Sequence, residues 1–344
     1  MRISSIAHAL PSRRVTNQDL IGAVMERNRQ HLGLRDLRLL ETSLRRAFRL
    51  AGTEIRYHRA NGEKAVDLGL RAGRDALYAA SLDPDEVDLL IYAGVGRGWI
   101  EPAMANLFQS ELQMHRATCF DVLDACASWL RSLFIAQSFI DSGVYKRVMV
   151  LNCEFNFKEY ATFEIGSIDE LRTSFSAFTI GEAATATILS DEGPRNSIRI
   201  SFKTWGEKHD LCKIPLPHVA DFSTNGCGNG KPMRFFTAPT ELLSFTIQEL
   251  VSHVREAQLL STYEHDIVIG HTVSAAVSSA VASQLKIDRS KVFETHGRFG
   301  NTVSASLPLA LSVAEMEGRL RRGMRVLLLM GSAGVSTAVC SFVY

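Results

Sequence analysis

The sequence has almost no net charge, no long apolar run and no paired cysteines, and each absence removes a class of function. Its 344 residues carry 38 basic and 37 acidic side chains, so no bulk field draws it to nucleic acid or to an anionic lipid surface. Aromatic residues make up only 8% and are not interleaved with basic ones, which leaves nucleic-acid binding unsupported. No stretch approaches the roughly 20 apolar residues that cross a bilayer. The opening run, Met1-Arg-Ile-Ser-Ser-Ile-Ala-His-Ala-Leu-Pro11, is too short for a signal peptide, so a cytoplasmic protein without a membrane span is expected. The six cysteines are Cys119, Cys126, Cys153, Cys212, Cys227 and Cys340. They form no Cys-x-x-Cys pair and have no histidine at ligand spacing, which argues against zinc, and no metal is expected. A chain of this length builds a core without disulfides, so its thiols are available for chemistry.

Nucleotide-binding glycines are missing too. Gly94-x-Gly96-x-Gly98 has the wrong spacing for Gly-x-Gly-x-x-Gly, and Gly226-Cys-Gly-Asn-Gly230-Lys231 misses the P-loop by one residue and continues into Pro232. Both are read as turns or loops. One local charge excess exists, nine arginines against three acids between Arg27 and Arg59. It suits a solvated helical face, or a landing site for the phosphates of coenzyme A or for an acidic carrier protein.

What is present centres on Cys126. Thr118–Val122 has the alternation of a strand, and Ala127–Ile140 is apolar on every face, as in a helix buried all round. A cysteine where the two meet has the unpaired amides and dipole of a helix N-terminus to favour its thiolate. The same residue could equally be a small core hydrophobe.

Around this stretch the chain alternates strands and helices. Ile3–Ala9 reads as a strand, Thr16 as a helix N-cap, residues 63–80 as an amphipathic helix, and 87–93 as a buried strand after the Asp83-Pro84 break. The pattern then repeats. Residues 76–93 are echoed at 254–271, and 118–152 at 291–330, where Asn301 opens the second long helix and Arg325–Met330 is the closing strand. Two similar α/β halves are expected, residues 1–192 and 193–344, joined near the turn-rich Asp191–Asn196. Their sheets would be covered by helices in layers. His271 ends the apolar strand Asp266–Gly270, and Asn301 follows Gly300. Alone, the first is a strand-end histidine and the second a turn. In a duplicated fold, equivalent ends face each other, so Cys126, His271 and Asn301 could share one pocket.

The motifs Asp-Val-x-x-Ala-Cys126, His271 and Gly-Asn301-Thr-x-Ser-Ala-Ser-x-Pro-x-Ala-Leu, in this order and at these distances, resemble the ketoacyl-acyl-carrier-protein synthase III branch of the thiolase superfamily. Thr16-Asn-x-Asp-Leu and Leu-Ala-Gly-Thr-Glu-Ile-Arg56 are similar to that family's N-terminal signals. The resemblance implies homodimers of five-layered αβαβα subunits and acyl-coenzyme A or acyl-carrier-protein thioesters as substrates, with no bound cofactor. Trp99-Ile-Glu101-Pro-Ala-Met-Ala, and the segment 162–186 with its acidic helix Ile168–Arg172, further resemble the head-to-head acyl thiolases of olefin biosynthesis, where a glutamate at this place serves as a base. Several patterns depart from the family. Gly270-His271-Thr-Val-Ser replaces Pro-His-Gln-Ala-Asn, Gly181-Glu182-Ala-Ala-Thr-Ala replaces Gly-Asp-Gly-Ala-Gly-Ala, and the C-terminal glycine loop is reduced to Gly331-Ser-Ala-Gly334. The Trp-Ile-x-x-Arg coenzyme-A motif is absent near residues 30–50.

The resemblance implies a condensing acyltransferase. Cys126 takes an acyl group from a thioester, with the oxyanion held by the backbone N–H groups of Cys126 and Ala333. His271 and Asn301 then stabilise an enolate that attacks the acyl-cysteine in a Claisen condensation. The enolate forms by decarboxylation of a malonyl group or by proton removal, for which Glu101 is the base. Two alternatives stay open: acyl transfer to an alcohol, amine or water, and an inactive scaffold subunit.

Overall fold

The computed structural model describes residues 1–155, 157–195, 197–222, 230–258 and 264–344; Gly226, Cys227 and Gly228 lie outside these. The first part of the chain supplies β1 (Arg2–Ala9), β2 (Arg13–Thr16), α1 (Asn17–Asn28), α2 (Leu34–Ala51), β3 (Ile55–His58), α3 (Ala65–Ala80), β4 (Leu89–Ala93), α4 (Met104–Glu111), β5 (Thr118–Val122), α5 (Ser128–Asp141), β6 (Arg147–Glu154), α6 (Phe157–Tyr160), α7 (Ile168–Ser174) and β7 (Ala183–Ser190). The second supplies β8 (Arg199–Thr204), β9 (Cys212–Lys213), β10 (Phe236–Thr237), α8 (Pro239–Glu256), β11 (Ile267–Gly270), α9 (Ala275–Leu285), β12 (Val292–Phe293), α10 (His296–Phe299), α11 (Ser306–Met316), β13 (Arg325–Ser332) and β14 (Ser336–Val343).

Two five-stranded sheets form, in the orders β1-β7-β6-β4-β5 and β12-β11-β13-β14-β8. In the first, β6, β4 and β5 run parallel while β7 is antiparallel to β6 and to β1. In the second, β12, β11 and β13 run parallel while β14 is antiparallel to β13 and to β8. Read from the other edge, the second sheet repeats the first: β8, β14, β13, β11 and β12 stand for β1, β7, β6, β4 and β5. The expected duplication is therefore a duplication of topology. The turn after β5 carries Cys126, and the segment after β12 carries Asn301.

Burial explains the layering. The parallel strand Leu-Leu-Ile-Tyr-Ala of β4 is buried along its whole length, which a strand covered on both faces requires. One core between the sheets gathers Trp129, Leu133 and Ala136 of α5 and Leu307, Leu309 and Leu311 of α11. A second core packs α3 and α4 on the outer face of the first sheet, and a third packs α8 and α9 on the outer face of the second. The order is helix, sheet, helix, sheet, helix, the five layers of a thiolase fold. α11 is buried from Ser306 through Ala314, as a central-layer helix must be.

Two sequence expectations are corrected. α5 is not buried all round, because Phe134 is 43% exposed: only the face toward the sheets is covered within one chain. Asn301 does not itself open a long helix. A tight turn at Val303–Ala305 intervenes, and α11 begins at Ser306, where Pro308 fits because the first turn needs no internal N–H bond. At the N-terminus the cap forms as read: Thr16 accepts from the Asp19 N–H, and the Asp19 carboxylate accepts from Thr16 N at 2.7 Å.

Candidate active site

The chain leaves β5 at Val122 and turns sharply at Ala125, which takes the left-handed conformation (φ 44°), before Cys126 and α5. The turn is held by side chains from both halves of the sequence. The Ser128 hydroxyl donates to Ala125 O at 2.7 Å and accepts from Asp124 N at 2.8 Å. Ser332, at the end of β13, accepts from Ala127 N at 3.2 Å and donates to Asp124 O at 3.3 Å. Those last bonds seat the Gly331–Gly334 loop directly on the turn that carries Cys126.

The Cys126 thiol lies deep, although the residue keeps a partly open face. Burial pushes the thiol well above its ordinary range, and the facing Cys212 and Glu154 push it the same way. The backbone N–H groups of Ala333 and of Cys126 itself oppose this by favouring the anion. The helix-terminus effect read from the sequence is thus present but outweighed by desolvation, so the resting group is a thiol. The same two N–H groups face the place where an oxyanion would develop after attack on a thioester.

His271 follows β11 and extends its pairing, its backbone N–H donating to Leu329 O at 2.8 Å. That bond places the residue beside β13, the strand that leads into Ala333. The imidazole Nδ1 lies 2.6 Å from the Ser306 hydroxyl, and its Nε2 is buried with no protein partner among the described residues. Burial lowers its pKa to about 4, so the ring is neutral near pH 7. When Ser306 donates to Nδ1, the proton of the neutral ring sits on Nε2, which is then a free donor.

Asn301 joins the two halves. Its N–H donates to Thr179 O at 2.8 Å, and its carbonyl accepts from Gly181 N at 3.1 Å. The approach is so close that a Cβ on Gly181 would lie 1.8 Å from Phe299 O. The Asn301 side-chain oxygen accepts from Val303 N at 2.9 Å, which leaves the amide nitrogen as the donor end. The Val303–Ala305 turn packs against both the Ala125–Ala127 turn and the end of β6. Cys126, Asn301 and the Ala333 loop are thereby brought to one place, with His271 adjoining through β13 and Ser306.

Glu101 is different. It lies exposed in the loop between β4 and α4, beside Trp99 and Ile100, which are 40% and 72% exposed. The arginine-rich stretch does not make one patch. Arg56 is buried with its guanidinium 5.2 Å from the Phe48 ring centre, and Arg59 pairs with Glu159 and Glu182. Arg35, Arg38, Arg46 and Arg49 stay exposed on α2. Among the described residues, no three His, Cys, Asp or Glu side chains are grouped to hold a metal, and no helix is long and apolar enough to cross a membrane.

Sequence reading missed four contributors: Glu154, Ser304, Ser306 and Cys212. Ser304 and Ser306 stand inside the Asn301 motif, and Glu154 is a lone acid ending a very apolar strand, so a signal existed for three of them. Cys212 carries none, because only the fold turns β9 toward Cys126.

A duplicated, layered fold with a thiol on the turn of one half and a neutral imidazole at a strand end of the other is that of the thiolase-like condensing enzymes. Residues 120–206 match the family model described as 3-oxoacyl-[acyl-carrier-protein (ACP)] synthase III, and residues 256–344 match that of its C terminal part. The beta-ketoacyl-[acyl-carrier-protein] synthase III of Methylococcus capsulatus is 28% identical over 95% of this chain and 94% of its own length. That of Rhodospirillum centenum is 29% identical over 93% and 91%. Among solved structures, cerulenin-bound OleA of Xanthomonas campestris superimposes with a TM-score of 0.82 at 22% identity, covering 99% of this chain and 96% of that one. A variant of the same protein solved with lauric acid and lauroyl-CoA gives the same score at 24% identity, covering 99% and 98%. The chain belongs to the 3-oxoacyl-[acyl-carrier-protein] synthase III family of the thiolase superfamily.

Proposed function

We propose that the protein joins two acyl thioesters by Claisen condensation through an acyl-cysteine on Cys126. The observation that carries this reading is the Cys126 sulfur lying under the N–H groups of Ala333 and Cys126. Cys126 attacks the carbonyl carbon of an acyl thioester, and its proton passes to the departing thiol. The tetrahedral oxyanion is stabilised by those two N–H groups, and collapse leaves the acyl-cysteine. Gly334 holds φ 129° in the turn between β13 and β14 that carries Ala333, and a Cβ on Gly331 would meet Thr246 of α8 at 2.3 Å, so the end of β13 packs closely on that helix.

The second thioester then binds with its carbonyl oxygen between His271 Nε2 and the Asn301 amide nitrogen. Both hydrogen bonds strengthen as that oxygen gains enolate charge. The enolate carbon attacks the acyl-cysteine, a carbon–carbon bond forms and the Cys126 thiolate departs. Loss of carbon dioxide from a malonyl group makes the enolate without a base. An unactivated acyl group needs one, and we assign that role to Glu101. The likeness to OleA supports this subgroup, as does the Trp99-Ile-Glu101-Pro loop. Acyl groups would arrive on coenzyme A or an acyl carrier protein, whose phosphates or acidic surface the exposed arginines of α2 suit.

We assign the working unit to a homodimer of two-half subunits, each divided into residues 1–192 and 193–344. β5 is an outer strand of its sheet, and an open edge invites pairing with a second copy. Leu123, next to β5, is 62% exposed, and Phe134 and Ile100 are exposed as well. Such a dimer would cover Glu101 and take it out of water, as a base for an unactivated acyl group requires. Sedimentation velocity tests it, a monomer at micromolar concentration being the contrary result. The reaction itself is tested by incubating the protein with lauroyl-coenzyme A, with and without malonyl-coenzyme A. Extraction of a 3-oxoacyl product supports condensation; release of free acid alone favours hydrolytic acyl transfer.

A further inference from the structure

Glu154 ends β6 with none of its surface exposed, yet no step above uses it. Its carboxylate accepts from Val95 N at 3.0 Å, from Gly96 N at 2.9 Å and from the Ser304 hydroxyl at 2.5 Å. Three converging donors suit an ionised carboxylate, which only accepts. The glycines are built around it. Gly94 sits at φ 136°, and a Cβ there would lie 2.4 Å from the Glu154 carboxylate and 2.7 Å from the Ser304 hydroxyl. Ser304 is further fixed by Asn152, whose side-chain nitrogen donates to it at 2.9 Å and to Ala93 O at 2.8 Å. The residue before Ser304 is Val303, a β-branched residue in the left-handed region at φ 51°. That conformation is costly for valine, and the Val303 N–H is the one that the Asn301 side-chain oxygen accepts.

We propose that Glu154 is a positioning residue, whose buried carboxylate ties the turn that orients the Asn301 carboxamide to the glycine loop leading toward Glu101. The inference rests on the condensing reading of the site. A single carboxylate thereby sets the geometry of the enolate-stabilising amide from one half and of the β4–α4 loop from the other. Its charge also acts on the nucleophile. Glu154 and Cys212 face Cys126; Tyr92, Cys153 and Tyr160 face Glu154 in turn, and Arg97 and Asp121 stand near Tyr92. A negative charge there disfavours the Cys126 thiolate, so its removal is expected to make the sulfur more reactive while condensation slows.

Two variants separate these effects. Glu154→Gln removes the charge and unbalances the donor set; Ser304→Ala keeps the charge and cuts the tether to the turn. With lauroyl-coenzyme A and malonyl-coenzyme A, both are expected to load Cys126 and to condense more slowly, on the order of a hundredfold for Glu154→Gln, as a misplaced reacting group costs. Alkylation of Cys126 by iodoacetamide, followed by peptide mass spectrometry across pH 6–10, is expected to shift to lower pH by about one unit in Glu154→Gln, since a like charge has gone, and to stay in place in Ser304→Ala. Condensation within twofold of wild type in either variant overturns the inference, as does an unmoved alkylation profile in Glu154→Gln. Should Glu154→Gln fail to fold, Ser304→Ala decides by its condensation rate. Wild-type protein that neither loads nor condenses would sink the condensing reading instead, and the alkylation profile would still decide whether Glu154 acts on Cys126.

Discussion

His271 Nδ1 lies 2.6 Å from the hydroxyl of Ser306, the first residue of α11. That contact fixes the plane of the ring and, with Ser306 as donor, leaves the proton on Nε2, where an enolate oxygen can use it. Ser306→Ala is expected to slow condensation about fivefold, the worth of one net hydrogen bond of about 1 kcal/mol, with loading of Cys126 unchanged. Single-turnover loading and steady-state condensation, measured side by side, check it; an equal loss in both would place Ser306 in folding rather than in ring orientation.

His271 and Asn301 are expected to separate the two half-reactions. His271→Ala and Asn301→Ala should still accept an acyl group on Cys126, while condensation falls on the order of a hundredfold or more for each lost oxyanion donor. Rapid-quench measurement of acyl-enzyme formation reads the first step, and product extraction the second. Severe and equal loss of loading in both variants would mean that these groups act on the thiol.

Much of this arrangement was legible in the sequence. The apolar runs of β4 and β6, the Thr16 cap and the echo of 118–152 at 291–330 follow from local chemistry and periodicity, and they lead to a duplicated layered fold. Cys126, His271 and Asn301 could be picked out because each sits at the end of a readable element. Glu154 could not be given a role, because its partners Val95, Gly96 and Ser304 come from segments up to 150 residues away. The protonation of Cys126 was also beyond reach: a helix start is a local property, whereas burial is a property of the whole fold, and here burial wins.

Acid should weaken the fold through buried histidines. Burial lowers the pKa of His271 and of His58 to about 4, below the roughly 6.5 of an unfolded chain. Between these values the unfolded state binds protons that the folded state refuses, so stability is full above about pH 6.5 and declines as pH falls toward 4. Each group contributes at most roughly 3 kcal/mol of that loss. Thermal unfolding followed from pH 7.5 to pH 4 is expected to show the decline, and His271→Gln to make it shallower. An identical slope in that variant would mean that His271 titrates normally.

Glu101 should matter only for unactivated donors. Glu101→Gln is expected to abolish condensation of two simple acyl thioesters, while sparing both loading of Cys126 and condensation with malonyl-coenzyme A, which supplies its own enolate by decarboxylation. Full activity of Glu101→Gln on two simple acyl thioesters, or wild-type condensation only with a malonyl donor, would remove Glu101 from the mechanism.

The most direct measurement is intact-protein mass spectrometry after mixing the protein with a panel of acyl-coenzyme A thioesters. An acyl-cysteine at residue 126 is the proposed intermediate on which every later step depends. The expected result is a mass gain equal to the acyl group, present in the wild type and lost in Cys126→Ala. No adduct with any chain length, or an adduct that persists in Cys126→Ala, would contradict the assignment of Cys126 as the nucleophile.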